Sequence, residues 1–255
     1  SIMEDKIFGA SGNQVVVEEF ITGPEVSVLS FTDGKTVVPM VSSKDHKRAY
    51  DGDRGLNTGG MGTISPNPHY SGEMAHRCMK EIFQPTIDAM REEGRPFQGC
   101  LYFGLMLTQD GPKVIEYNSR FGDPETQVVL PRLKTDLVEI LEACIDGTLK
   151  DLDIQWSDEA AACVVMASGG YPKSYPKGIE IKGLDENGQI SGATVYHAGT
   201  VYRDGRFFTN GGRVLGVTAC GAGLDEALEK AYDAVERISF DGAHYRKDIG
   251  KIGIQ

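Results

Sequence analysis

Glu116 and Asn118 stand two residues apart at the end of an apolar run, in "VIEYN". Residues two apart on a strand point to the same face, so one face offers a carboxylate and an amide oxygen. Both are hard donors suited to Mg²⁺ or Mn²⁺, ions that keep several waters and share themselves with substrate phosphates. By itself such a pair reads as a solvated strand end. The continuation "SRFGDPETQ" shifts that reading. Arg120 can fork onto a carboxylate or a phosphate, and Gly122, Asp123 and Pro124 permit a tight backbone approach beside it.

Two further stretches carry candidates. In "VVVEEFITGPEVS", Glu18, Glu19, Phe20 and Ile21 run into the turn Thr22-Gly23-Pro24. A strand entering a turn can meet a flat base with one carbonyl and one N–H, and Glu25 beyond the turn can accept from two ribose hydroxyls. The segment "SSKDHKRAYDGDRGLNTGGMGTISP" is polar, glycine-rich and almost without periodic apolar residues, and it brings Asp45, His46, Lys47 and Arg48 together. A loop of that length in a compact protein is usually functional or disordered.

The surrounding pattern predicts the elements that hold these groups. Gln14–Phe20 and Glu25–Phe31 read as strands. Asp33-Gly34 is a hairpin signal leading into "TVVPMV". Met74, Cys78, Ile82, Ile87 and Met90 give helical spacing over 71–93, with a kink or break at Pro85. "GCLYFGLMLTQDGPKVIEYN" reads as two strands about an Asp-Gly turn, and 134–149 as a helix presenting Leu137, Ile140, Leu141 and Cys144. A polar link near 152–158 predicts a boundary, with Trp156 an apolar anchor. The remainder is mostly β, ending in a helix from an Asp225 N-cap to Ile238.

Composition narrows the class. The chain has 255 residues, 40% hydrophobic and 25% charged, as globular proteins do. A formal net charge of -11 argues against non-specific nucleic-acid binding, which needs surplus Lys and Arg. It leaves room for a polyanionic ligand beside a metal ion and a few local cations. Five scattered cysteines without ligand spacing read as reduced thiols of a cytoplasmic protein. No apolar run has membrane-spanning length.

Taken in order, "EEFITGPEVSV", "DHKRAYDGDRGLNTGGMGTISP", "VIEYNSRFGDPETQ", "GGRVLGVTA" and "HYRKDIG" resemble the phosphoribosylamine–glycine ligases, or glycinamide ribonucleotide synthetases, of the ATP-grasp superfamily. The resemblance implies an α/β (α+β) fold: an ATP-grasp carboxyl-terminal half over residues 1–155, then a smaller, mostly β domain over 156–255. It implies ATP-driven joining of glycine to 5-phosphoribosylamine through glycyl phosphate, with no nucleic-acid or membrane partner. Glu18 and the backbone of Glu19 to Ile21 would hold adenine, Glu25 ribose, and Glu116 with Asn118 the metal. Asp45, Lys47, Arg48, Arg120 and the Gly122-Asp123-Pro124 loop would face glycine and the phosphoribosyl group.

The resemblance also implies a chain that starts inside the lid, with "IMEDKIFG" as its last helix and an exposed edge at 14–20, and that gives no turnover alone. Against the family's pattern, "LYFGLM" lacks the metal-binding acid that many ATP-grasp enzymes carry there. His46 is not needed as a base, because glycine's carboxylate is already ionised at neutral pH. His69, His76, His197 and His244 have no partner spacing. A different ATP-grasp enzyme sharing the last domain, and a nucleotide-binding module without turnover, are the competing readings.

Overall fold

The computed structural model of the protein describes residues 3–7 and 9–251. After a 3₁₀ turn at Gly9–Asn13 the chain forms no helix or strand until β1 (Glu25–Asp33). Asp33 ends that strand with an Asx turn, its Oδ1 accepting from the N–H groups of Lys35 at 2.9 Å and Thr36 at 2.7 Å. The chain then returns as β2 (Val37–Pro39).

The polar segment folds into four short strands: β3 (Lys44–Asp45), β4 (Arg48–Tyr50), β5 (Arg54–Asn57) and β6 (Gly62–Ser65). Next come α1 (Gly72–Cys78), capped by Ser71, a π turn (Met79–Phe83) and α2 (Gln84–Glu92). Pro85 lacks the N–H an α-helix would use, and the π turn falls at that interruption. β7 (Gln98–Thr108) and β8 (Gly111–Asn118) form a hairpin closed by Gly111 at φ 128°. They are followed by α3 (Thr126–Val129) and α4 (Leu137–Asp146), the latter capped by Asp136 and stopped by left-handed Gly147.

The first sheet has the order β2-β1-β7-β8, all antiparallel. Alternation sends Val26, Val28, Leu101, Phe103 and Leu105 against the α1–α2 run, and Leu29, Phe31, Cys100 and Tyr102 against α4. β9 (Ala160–Ala167) opens the second half. β10 (Glu180–Ile181), β11 (Thr194–His197), β12 (Thr200–Arg203), β13 (Arg206–Thr209), β14 (Arg213–Gly221) and α5 (Leu224–Glu236) follow. β10, β13 and β12 make a small sheet, while the second core sheet runs β11-β14-β9-β6-β3. Ala227, Ala231, Ala234 and Val235 of α5 seat on one face of it. Two of its five strands, β3 and β6, come from before residue 155, so hydrogen bonding carries straight across the polar link.

Several expectations are corrected. Gln14–Phe20 is no strand: Val17 and Phe20 are each 91% exposed, and β-rich composition without a partner ladder does not make a sheet. Val16 is likewise exposed, whereas Val26 and Val28 are core. Of the helix expected at "IMEDKIFG", Ile2 and Phe8 lie outside the described residues, and Met3–Asp5 is a turn leading to Lys6 at φ 48°. Asp225 is not the cap of α5. Gly223 occupies that position, and Asp225 lies in the first turn, where its charge still suits the helix dipole. The segment 42–66 is a pair of small ladders rather than a structureless loop. The five cysteines are all free, and only Cys220 is partly exposed. Among the described residues no helix is long and apolar enough to cross a membrane.

Candidate active site

The hairpin β7–β8 contains a bulge. Gly104 pairs with Glu116 and Leu105 with Val114, so Ile115 is the extra residue. A Cβ on Gly104 would lie 2.9 Å from Glu116 Cγ, so the position that lacks an acid is one where the facing carboxylate needs room. Glu116 and Asn118 reach the same cavity, of about 180 Å³, whose wall also includes Asp45, Lys47, Thr58, Gly59, Tyr102, Arg120, Asp123 and Glu125.

Cations and carboxylates alternate around it. Lys47 Nζ lies 3.2 Å from Glu25 Oε2 and 3.9 Å from Glu116 Oε1. Burial works against the ammonium charge, but Glu25 and Glu116 outweigh it and raise the Lys47 pKa. Arg120 donates to the Phe121 carbonyl at 2.8 Å and reaches Asn118 Oδ1 at 3.5 Å. Asp45 is partly buried, with its Oδ1 shielded from solvent. Burial, with Glu125 beside it, holds its pKa well above the usual carboxylate range against the pull of Lys47. Its Oδ1 has no hydrogen-bond partner among the described residues.

Glu125 is buried too, and Oε1 accepts from Tyr102 Oη at 3.1 Å and Ser27 Oγ at 3.3 Å. Below the cavity, Gly60 adopts φ 109°, and a Cβ there would meet Pro124 and come 2.6 Å from Asp45 Oδ1. Only glycine lets the 58–62 turn pass between those two residues. Arg213, on β14, joins the same turn to the loop after β8. It donates to the carbonyls of Gly59 at 2.6 Å and Asp123 at 2.9 Å and pairs with Asp123 Oδ2 at 2.9 Å.

His46 is fully used by structure. Its Nδ1 bonds the Gly62 carbonyl at 3.1 Å, and its Nε2 accepts from the Gly250 N–H at 3.1 Å. Burial pushes its pKa down to about 4, so the ring is neutral at pH 7. It belongs to a strap, residues 244–250, that grips 46–53. His244 Nε2 bonds the Ala49 carbonyl, Lys247 N–H bonds Asp51, and Asp248 accepts from Gly52 N–H. Arg246, 1% exposed, bonds Asp53, Asp248 and the Arg48 carbonyl.

Of the candidates, Asp45, Lys47, Glu116, Asn118, Arg120 and Asp123 therefore converge. Glu25 adjoins them through Lys47. Gly122 packs on Glu125 and Pro124 on Gly60. Arg48 does not line the cavity: its guanidinium sits on the Gly55 carbonyl of the β4–β5 ribbon. Glu18, Phe20 and Ile21 lie in the segment before β1, which has no helix or strand, and Glu19 pairs with Lys113 at 2.8 Å. Ser27, Tyr102, Thr58 and Arg213 carried no chemical signature in sequence. Glu125 stood inside a quoted motif without a role assigned.

Two family models match the chain: "Phosphoribosylglycinamide synthetase, ATP-grasp (A) domain" over residues 1–126 and "Phosphoribosylglycinamide synthetase, C domain" over 161–252. The chain belongs to the phosphoribosylglycinamide synthetase family. It is 50% identical over 248 residues to a phosphoribosylamine–glycine ligase of Caldanaerobacter subterraneus subsp. tengcongensis, covering 97% of this chain and 59% of the relative. It is also 50% identical to the human trifunctional purine biosynthetic protein adenosine-3, covering 98% of this chain and 25% of that one.

The crystal structure of phosphoribosylamine–glycine ligase from Thermotoga maritima superimposes with a TM-score of 0.81 at 36% identity, over 91% of this chain and 57% of that one. A biotin carboxylase domain of a 2-oxoglutarate carboxylase shares the fold at TM-score 0.62 and 15% identity, over 89% and 49%. This phosphoribosylglycinamide synthetase chain thus spans about three-fifths of the single-function relatives it matches. The mixed α/β architecture expected from sequence is the one these ATP-grasp structures have.

The family's chemistry calls for a divalent cation. Glu116 and Asn118 fit one: both donors are oxygens, both face the cavity, and neither is consumed by a buried bond. No cluster of three or more His, Cys, Asp or Glu residues able to hold a metal occurs among the described residues. The donor set therefore suits a cation completed by phosphate and water, not a closed protein cage.

Proposed function

We propose that this chain carries the metal and acyl-transfer portion of a phosphoribosylamine–glycine ligase, which uses ATP to join glycine to 5-phosphoribosylamine. The observation that supports it most is the convergence of Glu116, Asn118, Lys47, Arg120 and Asp45 on one cavity in a chain of this family. Glycine's carboxylate attacks the γ-phosphate, giving glycyl phosphate and ADP. The amine then forms the C–N bond as the acyl C–O bond breaks and phosphate leaves.

Phosphoryl transfer asks a protein mainly for positioning and charge neutralisation. Glu116 and Asn118 would hold Mg²⁺ or Mn²⁺, which neutralises phosphate charge. Lys47 supplies a fixed cation beside them, and Arg120 is free to fork onto a carboxylate or phosphate once it leaves Asn118. Glu25 faces the ribose hydroxyls, and the unpaired backbone of Glu19 to Ile21 takes the base edge. Asp123, clamped by Arg213, and the Gly122–Pro124 loop shape the glycine and phosphoribosyl side. Asp45, whose pKa is raised by burial, accepts the proton the attacking amine sheds.

The test is ADP and phosphate release with ATP, glycine and 5-phosphoribosylamine, measured on the full-length protein. Release should require both glycine and the amine for net product. Turnover that proceeds equally with bicarbonate in place of glycine would overturn the reading, and nucleotide binding without any turnover would reduce it to a binding module.

A further inference from the structure

No step of the proposed reaction uses Glu125, although it is a buried carboxylate in the cavity wall. It stands at the N-terminus of α3, where its carbonyl accepts from the N–H groups of Val128 and Val129, and the residue is 5% exposed. Its side-chain bonds all go to one oxygen. Oε1 accepts from Tyr102 Oη on β7 at 3.1 Å and from Ser27 Oγ on β1 at 3.3 Å, and these two hydroxyls lie 2.7 Å apart. Ser27 and Tyr102 are themselves buried. Oε2 makes no hydrogen bond among the described residues. It lies against Gly122, where a Cβ would overlap it.

Glycine is a zwitterion at neutral pH. Its carboxylate is the nucleophile, so its ammonium enters the cavity alongside, and an ammonium taken out of water without an acceptor is costly. The carboxylates of the site are not equally open to it. Glu25 and Glu116 share Lys47 at 3.2 and 3.9 Å, and Glu116 is also a metal donor. Asp123 is paired with Arg213 at 2.9 Å. That leaves Glu125 and its neighbour Asp45, whose Oδ1 has no partner among the described residues. Buried polar atoms are almost always paired, and an ammonium carries three N–H donors, enough to serve an oxygen of each carboxyl at once.

We propose that Glu125 binds the ammonium group of the glycine substrate through Oε2, with Asp45 Oδ1 as second acceptor, and thereby selects an amino acid over a carboxylate of equal size that lacks the charge. The assignment rests on the ligase reading. Tyr102 and Ser27 act as positioning residues: by holding Oε1 they leave Oε2 as the open acceptor. Lys47, Arg120 and the metal donors are then left for the carboxylate of glycine and the phosphates. A bound ammonium also favours the ionised form of Asp45, which is the form that takes the proton shed by the attacking amine.

Glycolate tests this, because it replaces the ammonium of glycine by a hydroxyl at nearly the same size. Binding of each compound is measured by calorimetry on the full-length protein with Mg²⁺ and a non-hydrolysable ATP analogue. Glu125→Gln, which keeps the shape, should raise the Kd of glycine about a hundredfold and leave that of glycolate within about twofold. If that variant does not fold, Glu125→Asp keeps the charge but withdraws it, and should raise the Kd of glycine about tenfold with glycolate again unmoved. Equal weakening of both ligands, as a purely structural role would give, overturns the proposal. So does a loss that high Mg²⁺ repairs, which would make Glu125 a metal donor. Glycine binding that Glu125→Gln leaves unchanged overturns this assignment alone. An unmutated protein that binds no glycine overturns the ligase reading and the assignment together.

Discussion

Lys47, in the link between β3 and β4, and Glu116, on β8, approach to 3.9 Å across the candidate-site cavity. The same ammonium is 3.2 Å from Glu25. Lys47→Met should therefore strike function far more than folding. The side chain is 32% exposed, so its ion pairs contribute at most about 1 kcal/mol to stability. A cation aimed at transferring phosphate is worth about 3 kcal/mol. ATP- and glycine-dependent ADP release by the full-length protein should fall about a hundredfold, with the urea midpoint almost unmoved.

Glu116→Gln keeps the shape of the cavity and removes one charge. Turnover in the full-length protein should fall by a factor of about ten to a thousand, and the Mg²⁺ concentration for half-maximal activity should rise. Wild-type activity at limiting Mg²⁺ would exclude Glu116 as a ligand.

Gly60→Ala should be severe despite its small size. The backbone there is at φ 109°, and the new methyl would collide with Pro124 and crowd Asp45. A cost of about 2 kcal/mol or more is expected from conformation and contact together. Thermal unfolding gives the loss directly. Gly94→Ala, at φ 70° with no neighbour near its Cβ, should cost less and isolates the backbone part.

His46 makes stability depend on pH. Its folded pKa of about 4 lies below the ordinary 6.5, so between those values the unfolded chain binds a proton that the folded chain does not. Stability is fully present above pH 6.5 and declines as pH falls toward 4, by a total of about 3 kcal/mol. Urea midpoints at pH 7 and pH 5 should differ, and His46→Gln should flatten that difference.

The strap responds at lower pH. Burial opposes ionisation of Asp248, but Arg246 and the Gly52 N–H hold its pKa to about 2. A depressed carboxylate pKa gives stability that is present above the ordinary 3.8 and lost as pH falls through about 2. Arg246→Ala should cost about 3 kcal/mol, because it leaves Asp248 and the Arg48 carbonyl without their buried donor. Asp53→Asn should cost much less, since Asp53 is 67% exposed. Denaturant unfolding of the two variants separates the cases.

What sequence revealed, and what it hid, follows from range. Glu116 and Asn118 were legible because two-residue spacing on a strand is local information. The hairpin about Asp110-Gly111 was legible for the same reason. Tyr102, Ser27 and Glu125 meet only because β1 and β7 pair in one register and the chain folds back after β8, and nothing at any one of them announces it. Arg213 arrives from ninety positions away from Asp123. Residues 14–20 failed in the opposite sense: their composition is that of a strand, but a strand exists only with a partner ladder. The polar segment 42–66 hid its small strands because two- to four-residue ladders leave no periodicity to read.

The pairing of β6 with β9 also sets an order of events during synthesis. At ~5–20 residues per second a ribosome needs roughly 5–20 s to make the stretch of about a hundred residues that separates these strands. Through that interval β6 and β3 have no central strand to join, and the turn beneath Asp45 has the Pro124 loop but not β9 or Arg213 against it, while the first sheet and its helices can consolidate beforehand. The nascent chain therefore passes through a stage in which the Glu116 hairpin is built but the opposite wall of the cavity is not. At that stage Glu116 and Asn118 stand without Arg213 opposite, and the cavity they line is completed only when the second half of the chain docks.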